Sequence, residues 1–591
     1  MGPDVVTPAP SAPAARSSPL AIAPVVVVVA LLLPLAVARV RLASTLNVNW
    51  DEFYFLSRVH TYLRGALSEK LLTFHVHFLS WVGRVSPDEI EQVLAVRDVM
   101  LGFGVLAAAA TAFIGWRLIG SAAGALFAVF SGQSLSLVLN HGASARYDPI
   151  IVALFLAAAA LLVGHATTHR RARAVAAGIL TAVALLVSIK AAVYLPALLG
   201  LLLCRVASER GRRGAVVDVV VFCGCVAVVS LGLLWVHAAS LVAPSVSAPG
   251  SGGLGSIFNK VLVDQEFAQP AALMLTLRWD SAFWLLVLAG FALVFTRMGA
   301  GIARLEQVQL LCFLLPLFAI ALYRNSFPYF YVTVVPPAAL LAGVVVGRID
   351  TSLPRRPLLA AALVALVALP GARAAWRWTR YNSDDQIAAQ RQVIDAVHAV
   401  FPTPVPYVDR CGMIATFPKV GPFMSTWSLS EYRKRARPLM GSLLRQERPK
   451  FLLNNVAGLD LTRALENTGR QHRLLPDDFA VLKDNYIHYW GPIWIAGKSV
   501  KIRNPDAGVV VDVVIAGPYL LQAGGPIRID GQELAVGAVI ELQEGPHQVT
   551  ASAPGVVTLR TALAQAPPTS PPPDAPIFTG FSFRTTPQRS R

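Results

Sequence analysis

Long apolar runs recur along the first two thirds of this chain, and they constrain its fold more than any other feature. A helix needs about 20 apolar residues to cross a hydrocarbon core about 30 Å thick, and most runs approach that length. They lie near residues 20–40, 99–116, 119–138, 149–164, 174–189, 191–204, 215–236, 281–296, 307–323, 329–347 and 357–370. The pattern predicts a polytopic α-helical membrane protein with about eleven transmembrane helices.

The composition also excludes an ordinary soluble enzyme. Of the 591 residues, 55% are hydrophobic and 14% are charged, which leaves too few charges for a water-exposed surface. The first run ends in small residues, as a signal peptide does, but its apolar part is too long and only Arg16 precedes it as a basic residue. We therefore interpret this run as an uncleaved anchor.

The net charge of +17 is concentrated at the ends of the apolar runs. Lysine and arginine near span ends usually stay in the cytoplasm. With the N-terminus inside, the order of the runs places every basic cluster on the cytoplasmic side: Arg170, Arg171, Arg173, Arg205, Arg210, Arg212, Arg213, Arg297, Arg304, Arg348, Arg355 and Arg356. The same order places the first loop, 41–98, and everything after about residue 371 outside. Topology thus explains the basic character, and no nucleic-acid partner is expected.

Beyond residue 371, mixed helix and strand patterns replace the apolar runs. Residues 376–485 combine a helical repeat with buried strands and predict an extracytoplasmic α/β domain. Residues 486–565 alternate apolar and polar side chains between Gly, Pro and Asp-Gly turns, which predicts a small β-sandwich. The remaining segments are the membrane domain, 20–370, a disordered cytoplasmic tail, 1–19, and a Pro-rich tail, 566–591, predicted to be disordered at its start.

Asp51 and Glu52 follow the first apolar run almost directly, in the stretch NVNWDEFYF. A carboxylate pair at the membrane–water boundary could carry out acid/base or metal chemistry on a substrate anchored in the bilayer. A solvated loop is the alternative for any such pair. The functional interpretation is favoured here because further polar residues fall on the same side.

One of these polar groups opens the fourth run, in NHGASARYDPII. Asp148 at this depth must be paired, hydrated or in use, and Arg146 is close in sequence. A helix N-cap before Pro149 is an equally good explanation, and it is compatible with a functional role.

Two other groups are cationic and aromatic. Lys190 breaks the apolar sequence between the fifth and sixth runs, where a lysine is costly unless it snorkels or meets an anion such as a lipid phosphate. Arg324 lies with Tyr329 and Tyr331 at the turn between the ninth and tenth runs. An interfacial aromatic belt with a snorkelling arginine is the alternative there.

The order of these motifs resembles the membrane-embedded C-type glycosyltransferases, most closely the dolichyl-phosphate-mannose protein mannosyltransferase and aminoarabinose-lipid A transferase branch. The resemblance covers about residues 20–370 and is carried by WDEFYFLSRVHTYLRG, EQVLAVRDVM, SARYDPII, SIKAAVYLPALL and RNSFPYFYVTVVPPAALL. The proline-rich motif of the family's first loop is replaced by TFHVHFLSW. This departure leaves the acceptor type and the subfamily open.

The resemblance implies a multi-pass protein of a bacterial-type plasma membrane that moves a sugar from a polyprenyl-phosphate donor to an extracytoplasmic protein, lipid or glycan acceptor. Asp51 would act as the general base on the acceptor hydroxyl, and a single displacement would invert the anomeric configuration. Glu52 would orient the acceptor or Asp51, and Asp148 is the second acidic site. The donor's lipid phosphate would be bound by Arg146, Lys190, Arg324 and Tyr329.

A divalent metal ion is left open, with Asp51, Asp148 and His77 as the candidate ligands. His75 and His77 are two residues apart, and this spacing disfavours a shared ion if the segment is helical. Two other classes of protein are also left open. A transporter or flippase would show internal repeats and broken mid-span helices, whereas a membrane scaffold would display the exterior domains for glycan or protein binding.

Overall fold

The structure is a computed structural model that describes residues 22–71, 73–164, 169–208, 212–242, 270–295, 302, 304–323, 327–379, 384–464, 473–504, 507–574 and 577–578. The predicted tail 1–19 and Arg324 lie outside the described residues.

Helices make up the membrane part of the chain, and every predicted apolar run overlaps one of them. They are α1 Ala23–Thr45, α2 Trp50–Leu63, α3 His75–Leu79, α4 Glu89–Ile119, α5 Ala122–Gln133, α6 Ser136–His141, α7 Asp148–Leu162, α8 Arg170–Val187, α9 Leu195–Ser208, α10 Arg212–Ala239, α11 Pro270–Trp279, α12 Ser281–Phe295, α13 Arg304–Cys312, α14 Ala319–Leu322, α15 Pro328–Val334, α16 Ala339–Ser352 and α17 Pro357–Thr379. Short 3-10 turns join several of them, including Ile189–Tyr194 between α8 and α9.

Among the described residues, six helices are long and apolar enough to cross a membrane, or up to eight if each of two bent helix pairs is one span. The bent pairs are Ala272–Trp279 with Ser281–Phe295, at 81°, and Pro328–Val334 with Pro336–Ser352, at 41°. The helices α5 and α7 are apolar but shorter. The prediction of a multi-pass helical membrane protein is therefore confirmed, while the count of eleven spans stays a prediction.

Small residues let two helices of the bundle pack backbone to backbone. A Cβ on Gly124 of α5 would lie 2.7 Å from the Gly343 carbonyl oxygen of α16 and 2.9 Å from the Gly347 backbone. The GVVVG spacing in α16 puts both glycines on one face, as in small-xxx-small membrane interfaces. Close approach of this kind holds helices together where lipid supplies no hydrophobic driving force.

The C-terminal region combines helices with two β-sheets. The helices are α18 Asp384–Val400, α19 Thr426–Arg435, α20 Met440–Glu447 and α21 Pro476–Asn485. The strands are β1 Tyr407–Val408, β2 Lys419–Val420, β3 Phe451–Leu453, β4 Tyr486–Trp490, β5 Ile493–Ile502, β6 Val509–Val513, β7 Gly517–Gln522, β8 Ile527–Ile529, β9 Gln532–Leu534, β10 Val539–Leu542, β11 Gly545–Ala551 and β12 Gly555–Thr561.

Strand β5 joins the two C-terminal parts. One sheet has the order β10-β7-β12-β5-β3-β1-β2, with β4 also paired to β5, and the other has the order β6-β11-β8-β9. The first half of β5 pairs with β3 of the α/β part, and its second half pairs with β12 of the sandwich. Apolar side chains of both sheets share one core, which includes Val511, Leu521 and Val549. The predicted α/β unit and β-sandwich are both present, and a continuous sheet connects them.

The α/β part packs against the first loop of the membrane domain. The Gln390 side chain of α18 accepts from the Val48 N–H at 3.0 Å and donates to the Val48 carbonyl at 2.7 Å. Arg391 forms ion pairs with Asp88 and Glu91. These contacts place the C-terminal domain at the end of the bundle where the first loop lies.

A second contact is tight enough to require glycine. Gly412 has φ of +84°, and a Cβ there would lie 2.6 Å from both Cβ and Oγ of Ser57 in α2. The segment after β1 therefore lies directly on α2, which carries the Asp51–Glu52 pair.

The described start of the Pro-rich tail is ordered, which corrects the prediction of disorder there. Trp490 Nε1 donates to the Ser570 carbonyl at 2.9 Å, and Gln392 Nε2 donates to the Pro571 carbonyl at 2.7 Å. Proline removes backbone donors but leaves carbonyl acceptors, so side chains of the folded domain can bind the extended tail.

The His398–Glu89 pair predicts a pH dependence of stability. Burial lowers the pKa of His398, but the stronger hydrogen bond to Glu89 raises it above its usual value. A raised pKa contributes stability that is fully present below the unfolded pKa, about 6.5, and is lost as pH rises through the folded pKa. We expect the thermal midpoint of wild type to fall between pH 6 and 9 by more than that of His398→Gln.

The matched control for this pH dependence is His488→Gln. His488 is exposed, and its only hydrogen bond among the described residues is to the Gly491 carbonyl. The thermal midpoint of His488→Gln should change with pH as that of wild type does. Equal pH dependence in wild type and His398→Gln would contradict the assignment.

Candidate active site

A capped helix end positions the acid pair. The Asn49 side chain accepts from the Asp51 N–H at 2.9 Å, and the Asn49 N–H donates to Glu52 Oε2 at 2.9 Å. This reciprocal capping starts α2 at Trp50 and fixes both carboxylates in its first turn. Carboxylates there also interact favourably with the helix dipole.

Arg146 joins Asp51 to a second carboxylate. Its Nη1 donates to Asp51 Oδ2, and its Nε donates to Asp148 Oδ2 at 3.0 Å. Lys190 Nζ donates to Asp148 Oδ1 at 3.1 Å. The loop before α7, the start of α7 and the 3-10 turn after α8 therefore meet α2 through one ionic cluster.

Exposure separates the two acids of this cluster. The Asp148 side chain is 2% exposed, whereas the Asp51 side chain is 12% exposed. Arg146 and Lys190 are buried with Asp148. Asp51 is consequently the carboxylate that an external group can reach.

Aromatic rings line the cluster. Arg146 Cζ lies 3.6 Å from the ring centroid of Tyr329, and Lys190 Nζ lies 4.6 Å from the same centroid. Lys190 Nζ is also 5.0 Å from the ring centroid of Tyr147. Cation–π contacts of this kind partly offset the loss of hydration by buried cations.

Glu52 belongs to a separate, closed pair. Arg97 of α4 binds both of its oxygens, at 2.8 and 2.6 Å, and the Ala145 N–H donates to Oε1 at 2.6 Å. Burial would raise the pKa of Glu52, but Arg97 and the backbone donors hold it below its usual value. With these partners and 1% exposure, Glu52 ties α2 to α4 and to the Arg146 loop.

The other predicted site residues do not all join the cluster. His77 lies in the first loop and forms hydrogen bonds with Tyr62 at 3.2 Å and with His237 of α10 at 2.8 Å. His75 is buried against the ring of Phe55. Arg324 lies outside the described residues.

A divalent ion does not fit the carboxylates as they stand. Arg146 and Lys190 already occupy oxygens of Asp51 and Asp148, and the described residues contain no group of three or more His, Cys, Asp or Glu placed to hold a metal.

Three side chains at the site were missed by sequence reasoning. Arg97 stands in a stretch that matched the family, but a single arginine near a span end gave no sign of its partner. Trp50 precedes the acid pair, and Arg410 of the C-terminal domain lies over it, with Cζ 3.8 Å from the ring centroid. Nothing in the sequence around Arg410 signals a contact with a residue 360 positions away.

The fold and site define a multi-pass helical membrane protein with a buried ionic cluster beneath a C-terminal domain. No protein-family model and no curated protein matches the chain. Among solved structures it is similar to ArnT from Cupriavidus metallidurans bound to undecaprenyl phosphate, at 15% identity over 73% of this chain and 92% of that chain, with a TM-score of 0.49.

Two structures of the Archaeoglobus fulgidus oligosaccharyltransferase are also similar. The apo form is 13% identical over 88% of this chain and 76% of that chain, with a TM-score of 0.48. The complex with Zn and sulfate is 12% identical over 90% of this chain and 99% of that chain, with a TM-score of 0.47. The resemblance predicted from the motifs is thus confirmed as a likeness.

Removing Arg97 should strongly destabilise the protein. Arg97→Met leaves the buried Glu52 carboxylate without its cation, which costs about 3–5 kcal/mol. Replacing both residues, in Glu52→Gln/Arg97→Met, should recover part of that loss because neither charge of this pair is left buried. Thermal unfolding in one detergent measures the order of stability: wild type, then the double variant, then the single variant. A double variant less stable than the single one would contradict the pairing.

Proposed function

We propose that this chain is a glycosyltransferase that moves a sugar from a polyprenyl-phosphate donor to an acceptor hydroxyl at the extracytoplasmic face of a bacterial-type plasma membrane. One observation carries the proposal. Asp51, the accessible carboxylate, shares Arg146 with the buried Asp148, and Lys190 and Tyr329 lie beside them. This combination provides a base, compensated negative charge and cations at the membrane boundary.

The distribution of arginine supports the orientation. Arg173 and Arg205 donate to the Ala160 and Leu161 carbonyls at the end of α7, whereas the site lies at the start of α7. The arginine-rich end of the bundle is then cytoplasmic by the positive-inside rule, and the site and the C-terminal domains face outside.

The proposed reaction is a single displacement. The acceptor oxygen forms a bond to the anomeric carbon while its proton passes to Asp51. The bond from the anomeric carbon to the phosphate oxygen breaks, and the polyprenyl phosphate leaves with the electron pair. The configuration inverts, and carboxylates near the sugar favour the positive charge that develops on it.

Asp51 has an oxygen available for this role. Arg146 binds Oδ2, and no described residue forms a hydrogen bond to Oδ1, so an acceptor hydroxyl can donate to Oδ1 without displacing Arg146. Arg146 and Asp148 hold the carboxylate in place. Lys190, with Tyr329 against it, is a cation of the cluster that would stabilise the charge on the leaving phosphate.

Asp51→Asn should lower transfer strongly while the protein stays folded, because Asp148 still pairs with Arg146. The amide keeps the shape of the carboxylate but cannot accept the proton, and general-base catalysis contributes about 10²–10⁴-fold. Transfer is measured from a panel of radiolabelled polyprenyl-phosphate sugars into a cell-envelope extract, with purified protein in nanodiscs. We expect label to move with wild type and to fall by at least 100-fold with the variant.

Asp98→Asn is the matched control, because Asp98 lies on the exposed side of α4 and its loss removes the same charge away from the site. It should transfer at the wild-type rate. Full activity of Asp51→Asn would overturn the base assignment. Absence of transfer and of lipid phosphate release with the whole donor panel would overturn the proposed function.

A further inference from the structure

Arg410 of the C-terminal α/β domain reaches into the site. Its guanidinium stacks on Trp50, 3.8 Å from the ring centroid, and Trp50 directly precedes Asp51. Burial holds the pKa of Arg410 below its usual value, and the nearby Cys411, Asp51 and Asp409 groups offset that shift only in part. Asp51 is thus close enough to Arg410 to interact with it electrostatically.

The local backbone holds Arg410 in place. The Arg410 N–H donates to Asn455 Oδ1 at 2.9 Å, and its carbonyl accepts from the Met424 N–H at 2.9 Å. Asp409 is fully engaged with the Gly412 and Met413 N–H groups, at 2.7 and 2.8 Å. The neighbouring carboxylate therefore accepts hydrogen bonds within its own domain and forms no ion pair with Arg410 among the described residues.

Among the residues that the structure describes, Arg410 is a buried cation with no ion-pair partner. Only 6% of the residue is exposed, no ion pair among the described residues includes it, and its buried Nε has no hydrogen-bond partner there. Leaving buried donors of a charged group unsatisfied is costly. A guanidinium in this state is suited to a ligand with two oxygens, because its planar donors match a carboxylate or phosphate.

The other described cations at the site each have a carboxylate partner. Arg97 is paired with Glu52, Arg146 with Asp51 and Asp148, and Lys190 with Asp148. These three cations balance three carboxylates, so a substrate that brings a further negative charge leaves the site with excess negative charge unless another cation, such as Arg410, is present.

We propose that Arg410, stacked on Trp50, is a binding residue for an oxyanion of the substrate. This inference rests on the proposed function and deepens it. The oxyanion comes from one of two sources, the phosphate of the lipid donor or an acidic group on the acceptor. In both cases the C-terminal domain supplies part of the binding site and does more than cover it.

Binding without turnover tests the proposal. Protein in nanodiscs is titrated with a short-chain polyprenyl phosphate and, separately, with the corresponding polyprenol, which lacks the phosphate. Wild type, Arg410→Gln and Arg410→Lys are compared, together with Arg391→Gln as the matched control. Arg391 belongs to the same domain and pairs with Asp88 and Glu91 at the interface, so it reports a loss of docking alone.

If the donor phosphate is the ligand, Arg410→Gln weakens binding of the polyprenyl phosphate by at least about tenfold, because one charge-assisted hydrogen bond is lost. Binding of the polyprenol is unchanged in this variant. Arg410→Lys retains part of the affinity, and Arg391→Gln behaves as wild type. If an acidic acceptor is the ligand, lipid binding is unchanged in Arg410→Gln, and the amount of envelope extract needed for half-maximal transfer rises about tenfold.

Two results would overturn the proposal. The first is unchanged lipid binding together with unchanged acceptor dependence in Arg410→Gln. The second is an equal loss in Arg391→Gln, which would assign Arg410 to domain docking only. Failure of the proposed function is distinguishable, because it would appear as Arg410-dependent binding of the phosphate by a wild-type protein that transfers no sugar.

Discussion

The position of Arg146 between Asp51 and Asp148 is the interaction on which the rest of the site depends. Taking charges out of water costs several kcal/mol for each ion, and mutual attraction repays this only when geometry and further hydrogen bonds are favourable. Here Lys190 binds the second oxygen of Asp148, and Tyr329 and Tyr147 cover the cations. The cluster therefore requires that α2, α7 and the turn before α9 keep their positions together.

This requirement is met by contacts that fix the position of the first loop. Glu52 and Arg97 fix α2 against α4, and Arg97 also donates to the carbonyls of Ala43, Leu46 and Asn47 at the end of α1. The C-terminal domain then closes over the same helix, with Gly412 against Ser57 and Gln390 bound to Val48. Trp50 lies between Arg410 and Phe578, whose ring centroid is 6.0 Å away. The domain is thus part of the surroundings of Asp51.

Much of this arrangement could be predicted from the sequence. The apolar runs mark the helices because a membrane imposes length and hydrophobicity locally. Polar residues at the ends of those runs are conspicuous for the same reason, and Asp51, Arg146, Asp148, Lys190 and Tyr329 indeed lie in one cluster. What could not be predicted is which side chains contact each other. The role of Glu52 depends on Arg97. Arg410 contacts a residue 360 positions away, and the ordered tail contacts residues 80 and 179 positions away. Contacts at such separations leave no periodic pattern in the sequence.

The proposed site would bind a lipid-linked phosphate beside Asp51, at the junction of the bundle and the C-terminal domain. An electron cryomicroscopy structure of the protein in nanodiscs with a polyprenyl phosphate tests this binding. We expect density for the phosphate within hydrogen-bond distance of Lys190 or Arg410, with the lipid chain running along the bundle. A phosphate bound at the arginine-rich end of the bundle, away from Asp51, would contradict it.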